Sequence, residues 1–405
     1  MKILAISQVY WPDTASVSQH LTDLLEALAS RGSDVSVISS RNDYESPEKK
    51  YSCSQAQNGV QILRVPGTSF GKKSKLGRLI DFITFNISLT FKLIFYPKGR
   101  YDTIIGMTTP PLVSYIGAKI SRFKNKKFVY WTMDLQPELS IIAGYLKASG
   151  KSANSLQKKG DYVFSNSDLI ITLDHYMRTH IERRLKQKVI IQVIPVWPVM
   201  NERYQGSRED NPFRVRHEFE DKIVIMYSGN HSVMHPIATL LDAAVALRDD
   251  LRFLFVHIGG GVRLNEVTHY IKKYDLSNLQ ILPYQPRNLI HYSLGSADIQ
   301  TVTLGDDCVG YTHPNKIYGA MFIGKPILYI GPKESHISEI LNDCEGNVSV
   351  KHGESAELIS KLRKFADMDE KTKELIGVRN QKYAEKYFHP SVLVKKMVNS
   401  IELLE

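Results

Sequence analysis

The segment THPNKIYGAMFIGKPILYIG, Thr312–Gly331, gathers residue types that can handle an anion. It reads as Pro314 in a first helical turn, roughly two turns of helix, a break at Gly324 and an apolar strand. His313, Asn315 and Lys316 crowd the helix start, where unpaired N–H groups and the peptide dipole favour phosphate. Polar residues follow other apolar runs in the same way. Asp13, Ser16 and Ser18 come after KILAISQ, and Asp134 and Glu138 after FVYWTM. Gly229, Asn230, His231 and His235 come after KIVIMYS, Gly259, Gly260, Gly261 and Arg263 after RFLFVHI, and Tyr284 and Pro286 after LQILP. Singly, each has a plain reading: a flexible turn for the glycines, a helix cap for Asp134 or a lone His. His231 and His235 have the spacing of a metal pair, but no carboxylate or Cys lies near them in sequence, so no metal site is expected. Together, loops bearing His, Lys, Arg and Gly suit a diphosphate, which takes backbone N–H groups and cations.

Alternating strands and helices must position these residues. In the first half the strands read KILAISQ, DVSVISS, QILRVP, DTIIGM, FVYWTM, LIITLD and VIIQVIP, with helices most evident over Val17–Ser30, Leu112–Arg122 and His175–Lys186. Short apolar strands separated by helices predict a parallel sheet covered on both faces. The pattern stops in the polar stretch around residues 197–212 and restarts at KIVIMYSG. The fold class expected is α/β, two tandem Rossmann-like doubly wound domains facing a cleft. Residues 1–200 form the first domain, 201–212 a linker and 213–375 the second; 376–405 are C-terminal helices that pack back toward the first. Ligands of such sheets bind beyond the carboxyl ends of the strands.

The chain has 405 residues and a net charge of +10, and the charge is not spread evenly. Residues 1–200 hold 27 Lys+Arg against 15 Asp+Glu, and residues 71–127 alone hold 12 against 2. So local an excess points to an acidic partner of the first half. Composition excludes disorder and disulfide scaffolds. The N-terminal run lacks the apolar core and cleavage site of a signal peptide, and the three cysteines are widely spaced, so a reducing, cytoplasmic location is expected.

The motifs MYSGNHSVMHP, HIGGGVR, LPYQP, ADIQTVTL and HPNKIYGAMFIGKPILYIGP closely resemble the C-terminal domain of glycosyltransferase family 4. VYWTMDLQPE followed by IPVWP resembles a bacterial subset that builds surface polysaccharides. The resemblance covers nearly the whole chain. It implies a GT-B fold and metal-independent, retaining transfer of a sugar from a nucleotide-diphosphate donor, with UDP-sugars favoured and no cofactor beyond the donor. It assigns diphosphate binding to His313, Asn315 and Lys316. The family's two helix-associated Glu positions fall on Tyr311 and Gly319, so their roles do not carry over. The family's Arg and Lys after the first strand of that domain are replaced by GNHSVMHP, leaving His231 and His235 to balance the leaving diphosphate. Lys316, His231 and Asp134 are the expected catalytic residues, Asp134 acting on the acceptor. Asp13, Ser16, Ser18 and Glu138 are expected on the acceptor side, and the glycines, Asn230, Arg263, Tyr284, Pro286 and Pro314 around the donor.

Residues 76–96 carry only Arg78, Asp81 and Lys92 as charges. The length could span a bilayer, but the charges, Asn86 and the flanking α/β pattern argue against it. A helix buried in the first domain and an interfacial helix remain. The basic residues Lys72, Lys73, Lys75, Lys98, Arg100 and those of RFKNKK favour the interfacial one, at the inner face of a cell membrane. A polyprenyl-diphosphate-linked or other glycan acceptor would suit that place. The rivals are a nucleic-acid binder, for which no motif is present, a nucleotide-sugar epimerase or hydrolase of the same fold, and a non-catalytic nucleotide-sugar-binding subunit.

Overall fold

The computed structural model describes residues 1–405 apart from 44, 45, 47, 72–74, 201 and 220, and apart from the side chain of Lys75. Lys72 and Lys73 of the basic segment thus lie outside the described residues. The chain divides into two compact units.

The first unit comprises Met1–Pro195, Gly310–Thr312 and Pro390–Glu405. Its strands are β1 (Lys2–Ile6), β2 (Asp34–Ser40), β3 (Ser54–Gln57), β4 (Val60–Val65), β5 (Thr103–Gly106), β6 (Lys127–Trp131), β7 (Leu169–Thr172) and β8 (Ile190–Val193). They form one sheet in the order β3-β4-β2-β1-β5-β6-β7-β8. All neighbours are parallel except β3, an antiparallel edge strand on β4 that sequence reading misses. β3 reads SQAQ, polar and half-exposed, so it carries no apolar run to mark it. The central strands are buried almost end to end, as in KILAI and LIIT, because helices cover both faces. Strand order reverses between β1 and β5, so the crevice of this unit opens after Ile6 and Gly106.

The second unit comprises Val196–Val309 and His313–His389. Its strands are β9 (Ile223–Asn230), β10 (Phe253–Gly260), β11 (Leu279–Leu282), β12 (Ile299–Thr303), β13 (Ile327–Ile330) and β14 (Val348–Val350), all parallel, in the order β11-β10-β9-β12-β13-β14. Here the reversal lies between β9 and β12. Ile225, Tyr227, Phe255, Ile299 and Leu328 of the sheet pack with Leu240, Leu241, Leu358 and Leu362 of covering helices to form the core.

Three expected boundaries shift. The first unit ends at Pro195, and the stretch expected to be a linker over 201–212 is folded onto the second unit. Arg208 donates to Asp298 at 2.7 Å, Arg214 donates to the same carboxylate at 3.1 Å, and Asn211 caps the helix Pro212–Arg216. The mostly buried Asp298 needs those cations, which is why a polar stretch is ordered. At the C-terminus, the helix Glu370–Tyr387 belongs to the second unit. Only the last helix, Pro390–Glu402, belongs to the first, where Arg31 bonds Asn399 and Glu402, each at 2.9 Å. Gly310–Thr312 also counts with the first unit.

The helix Lys316–Phe322 is seated by close backbone contact. Gly324 ends it with φ +76°, and a Cβ on Gly377 of the helix Glu370–Tyr387 would collide with the Gly324 carbonyl. Gly377→Ala is therefore expected to cost about 1–3 kcal/mol of stability, measured by denaturant unfolding. An unchanged midpoint would show that the two helices are not held by this contact.

Candidate functional site

The reversal point of the second sheet gathers the residues singled out around Lys316. β9 and β10 stay in register to their tips, with Gly259 opposite Gly229 and Gly260 opposite Asn230. Gly229 and Gly259 both have φ near +126°, at +127° and +125°. A Cβ on Gly259 would strike the Gly229 carbonyl, so this pair of turns admits only glycine there. Beyond the tips, His231 N–H donates to the Gly260 carbonyl at 2.7 Å and the His231 carbonyl accepts from Arg263 N–H at 3.0 Å. The two loops are thereby stitched together. His235 meets the other side of the reversal, its Nδ1 2.7 Å from the Thr303 carbonyl that ends β12.

Lys316 enters this group from the start of its helix. Its Cε lies 3.6 Å from where a Gly229 Cβ would be. Its Nζ donates to Tyr227 Oη at 2.5 Å and sits 3.8 Å from the Tyr227 ring centroid. Tyr227, fully buried on β9, passes its own hydroxyl proton to the Asn230 carbonyl at 3.0 Å. Among the described residues no carboxylate pairs with Lys316. Burial alone holds its ammonium down, to about 7.

The histidines play a different part from the one expected. His231 is fully buried and His257, also fully buried, faces it with Nε2 and Nδ1 3.0 Å apart. Burial, with the Lys316 charge behind it, pushes His231 down to about 4; burial, then His231 and Lys316, push His257 to about 3. His235 is held well below the usual range by burial. With no anion present, burial and the nearby Lys316 charge thus favour the neutral form of all three imidazoles.

Other expected donor residues are turned elsewhere. The Lys316 helix has seven residues, about the two turns expected, but it begins after Pro314, with Asn315 flanking it. His313 is buried, with Nε2 2.7 Å from the Tyr318 hydroxyl, stacked on that ring, so it is packed as core. The Arg263 guanidinium donates to the Val233 carbonyl and to Glu266 at 2.7 Å, bracing the loop. Tyr284 is exposed and its ring covers Gly259 and Gly260, while Pro286 leads into a short turn of helix, Arg287–Leu289. At Gly319 a Cβ would stand 3.3 Å from Met200, which explains the absence of a longer side chain there.

In the first unit, Asp134 follows β6 and accepts from the Thr312 hydroxyl at 2.7 Å, while Leu135 N–H donates to the Tyr311 carbonyl. Glu138 Oε1 accepts from Arg184 at 2.7 Å, while its Oε2 is buried without a hydrogen-bond partner. Asp13 is nearly buried beside Tyr51 and Arg64. Ser16 is exposed and opens the helix Ser16–Ser30, whereas Ser18 is buried within it. Tyr227 and His257 are the site residues that sequence reading missed. A single His inside the apolar run FLFVHIGG was the one signal available.

No protein-family model matches the chain. The chain is 22% identical over 418 residues to the putative colanic acid biosynthesis glycosyl transferase WcaI of Escherichia coli (strain K12), covering 99% of this chain and 100% of that one. It is 24% identical over 268 residues to the probable glycosyltransferase WbjE of Pseudomonas aeruginosa, a match that spans 66% of either chain. The crystal structure of Anabaena Alr3699/HepE in complex with UDP and glucose superposes with a TM-score of 0.74 at 16% identity, covering 99% of both chains. The chain has the GT-B fold. The kinship with GT-B glycosyltransferases read from the motifs is thereby borne out, while membership of family 4 in particular is taken up below as a proposal.

The buried ammonium gives the GT-B chain a pH signature. Lys316 in the folded protein releases its proton near pH 7, far below the ordinary lysine value of 10.5. The folded state therefore binds fewer protons than the unfolded state between those limits, and stability rises with pH across them. Lys316→Met is expected to raise Tm by about a few degrees at pH 7 and below, and to flatten the rise above pH 7. Scanning calorimetry from pH 6 to 9.5 reads both; a variant less stable than the parent at pH 7 contradicts the assignment.

Proposed function

We propose that the chain is a glycosyltransferase of the family 4 type, moving a sugar from a nucleotide-diphosphate donor, UDP-linked in the favoured case, to a glycan or lipid-linked acceptor in bacterial surface-polysaccharide synthesis. One observation carries the reading: an ammonium without a counter-carboxylate, set beside two glycine tips at the reversal point of a parallel sheet. Such a group is stabilised when an anion arrives, and a departing nucleoside diphosphate is the anion that sugar transfer produces. The relatives' names support the reaction class, and the UDP-bound neighbour supports the base.

In this reading Lys316 neutralises charge as the bond to the diphosphate breaks, so the step runs without a metal. The glycine tips let backbone come close to the phosphates. Attack on the same face, with retention, follows from the resemblance: the departing phosphate helps to take the acceptor proton. Asp134 is the first-unit residue proposed to orient the acceptor hydroxyl, fixed through the Thr312 contact.

The proposed acceptor side includes a membrane. The helix Lys75–Phe95 buries Phe85, Leu89 and Leu93 and turns Leu76, Leu79, Ile83, Ile87, Phe91 and Phe95 outward, each about half or more exposed. Among the described residues no helix is long and apolar enough to cross a membrane. An outward apolar stripe on a helix followed directly by the exposed Lys98 and Arg100 suits adsorption to an anionic leaflet. A peripheral position at the inner face of the cell membrane is proposed on that basis.

Calorimetric titration with UDP is the first test. UDP is expected to bind without added metal and in the presence of EDTA, to take up about one proton at pH 8 as Lys316 recharges, and to weaken as pH rises above 7. Lys316→Met should abolish this binding, whereas Asp134→Asn should keep it and lose transfer. Binding without proton uptake, or equally tight in Lys316→Met, would move the donor site elsewhere. For the membrane, flotation with vesicles containing anionic lipid at low salt should recover the wild type, and Ile83→Glu with Ile87→Glu should stay behind; equal recovery of both argues against the stripe.

A further inference from the structure

A polar cavity lies in the first unit where the helix Lys75–Phe95 passes the carboxyl ends of β1, β2 and β4. Gln8 follows β1, Asn42 follows β2 and Ser69 follows β4, and the helix closes the cavity with Arg78, Asp81 and Phe82. Its volume of about 40 Å³ has room for roughly two or three water-sized groups. The wall is built from fixed parts. Asp81 accepts from the Thr68 hydroxyl at 2.7 Å and from the N–H groups of Phe70 and Gly71 at 3.0 Å, which ties the loop after β4 to the helix. Asn42 donates to the carbonyls of Gly67 at 2.9 Å and of Thr68 at 3.0 Å. With both amide hydrogens so engaged, Asn42 presents its side-chain oxygen as an acceptor.

The cavity adjoins the outward apolar stripe. Arg78 and Phe82 stand four residues apart on its side of the helix, with the guanidinium 5.3 Å from the ring centroid. Leu79 and Ile83, each one residue further on, belong to the stripe, at 53% and 49% exposure. Cavity and stripe thus occupy adjacent rows of one helix, an arrangement that fits an amphiphile with a polar head beside an apolar chain. Charge narrows the choice of head. The wall holds one guanidinium against two carboxylates, Asp43 and Asp81, so a phosphate would meet like charge there. The other polar groups, from Gln8, Asn42 and Ser69, are neutral amides and a hydroxyl. Sugar hydroxyls both donate and accept, and match such a wall.

We infer that this cavity takes the hydroxyl-bearing edge of the neutral sugar head of a lipid-linked acceptor, whose chain lies along the stripe on the same helix. The inference rests on the membrane-facing acceptor side proposed above. The small volume admits a hydroxymethyl arm or a pair of ring hydroxyls and leaves the rest of the sugar outside. Asn42 accepts from one hydroxyl, Gln8 and Ser69 add neutral partners, and the stacked Arg78 and Phe82 pair walls the ring.

The test uses the full chain and single-chain amphiphiles below their micelle-forming concentrations. The probes are octyl glycosides of glucose, galactose, mannose and N-acetylglucosamine, octyl phosphate, and octyl pentaethylene glycol ether, which has the chain but no sugar. Saturation-transfer NMR titration reads the affinities. At least one glycoside should bind about tenfold tighter than the ether, the effect of roughly one or two added hydrogen bonds. Ser69→Leu, which fills the cavity, and Gln8→Leu, which removes an amide from its wall, should each bring glycoside and ether level, while UDP affinity and vesicle flotation stay as in the wild type. Ile83→Glu with Ile87→Glu should weaken glycoside and ether alike; unchanged binding there overturns the placement of the chain. Glycosides no tighter than the ether mark a cavity for water alone and overturn the inference. So does a margin that survives in Ser69→Leu, or octyl phosphate binding tightest. A wild type that fails to float with vesicles overturns the membrane reading alone, because the glycoside margin is measured without a membrane.

Discussion

A half-buried lysine ammonium, with no carboxylate among the described residues to balance it, is the constraint around which the second unit is built. Isolated, such a group costs the fold stability, and Lys316 responds by giving up its proton near neutrality. What keeps it in place is the Tyr227 hydroxyl and ring beneath it and a helix whose far end is seated by the Gly324–Gly377 contact. The arrangement gains meaning only with an anion present. In the proposed function, a site unfavourable when empty and favourable when filled is one held ready in advance, its cost borne by the surrounding core.

The same constraint decides the chemistry of the neighbours. Burial, with the Lys316 charge nearby, pushes His231, His235 and His257 toward their neutral forms. The glycine tips bring peptide groups where side chains would stand in the way. Their φ values follow from strand register: β9 and β10 pair to their last residues, and only a residue without Cβ can end both strands side by side.

The first unit solves a different problem with the same architecture. Its helix Lys75–Phe95 is apolar on both faces, one filling the core and one facing outward. A stripe of that kind is unfavourable in water unless something covers it, and an anionic membrane surface is the cover proposed for it. Asp134 lies at the carboxyl end of the same sheet, on a bridge to Thr312. Lys316 and Asp134, the residues proposed for donor and acceptor, thus belong to separate units.

Much of this was legible in the amino-acid order. Apolar runs of four to eight residues with helices between them dictate two parallel sheets, because only a sheet covered on both faces accepts strands such as LIIT and FLFV. The rule that ligands meet carboxyl strand ends then selected Gly229, Gly259 and Lys316. What the order could not convey was which way each side chain turns and what surrounds it. His313 reads as a phosphate ligand and is core; Glu138 reads as a candidate acid and is tied to Arg184; Ser18 is inside a helix face. Tyr227 and His257 look like filler in apolar strands, yet register places them side by side beneath the site. Sequence by itself determined the layers and the ends of the strands, since these follow from local hydrophobic pattern. Only the tertiary structure decided which polar groups are charged, because charge in a buried site depends on neighbours that lie far apart along the chain.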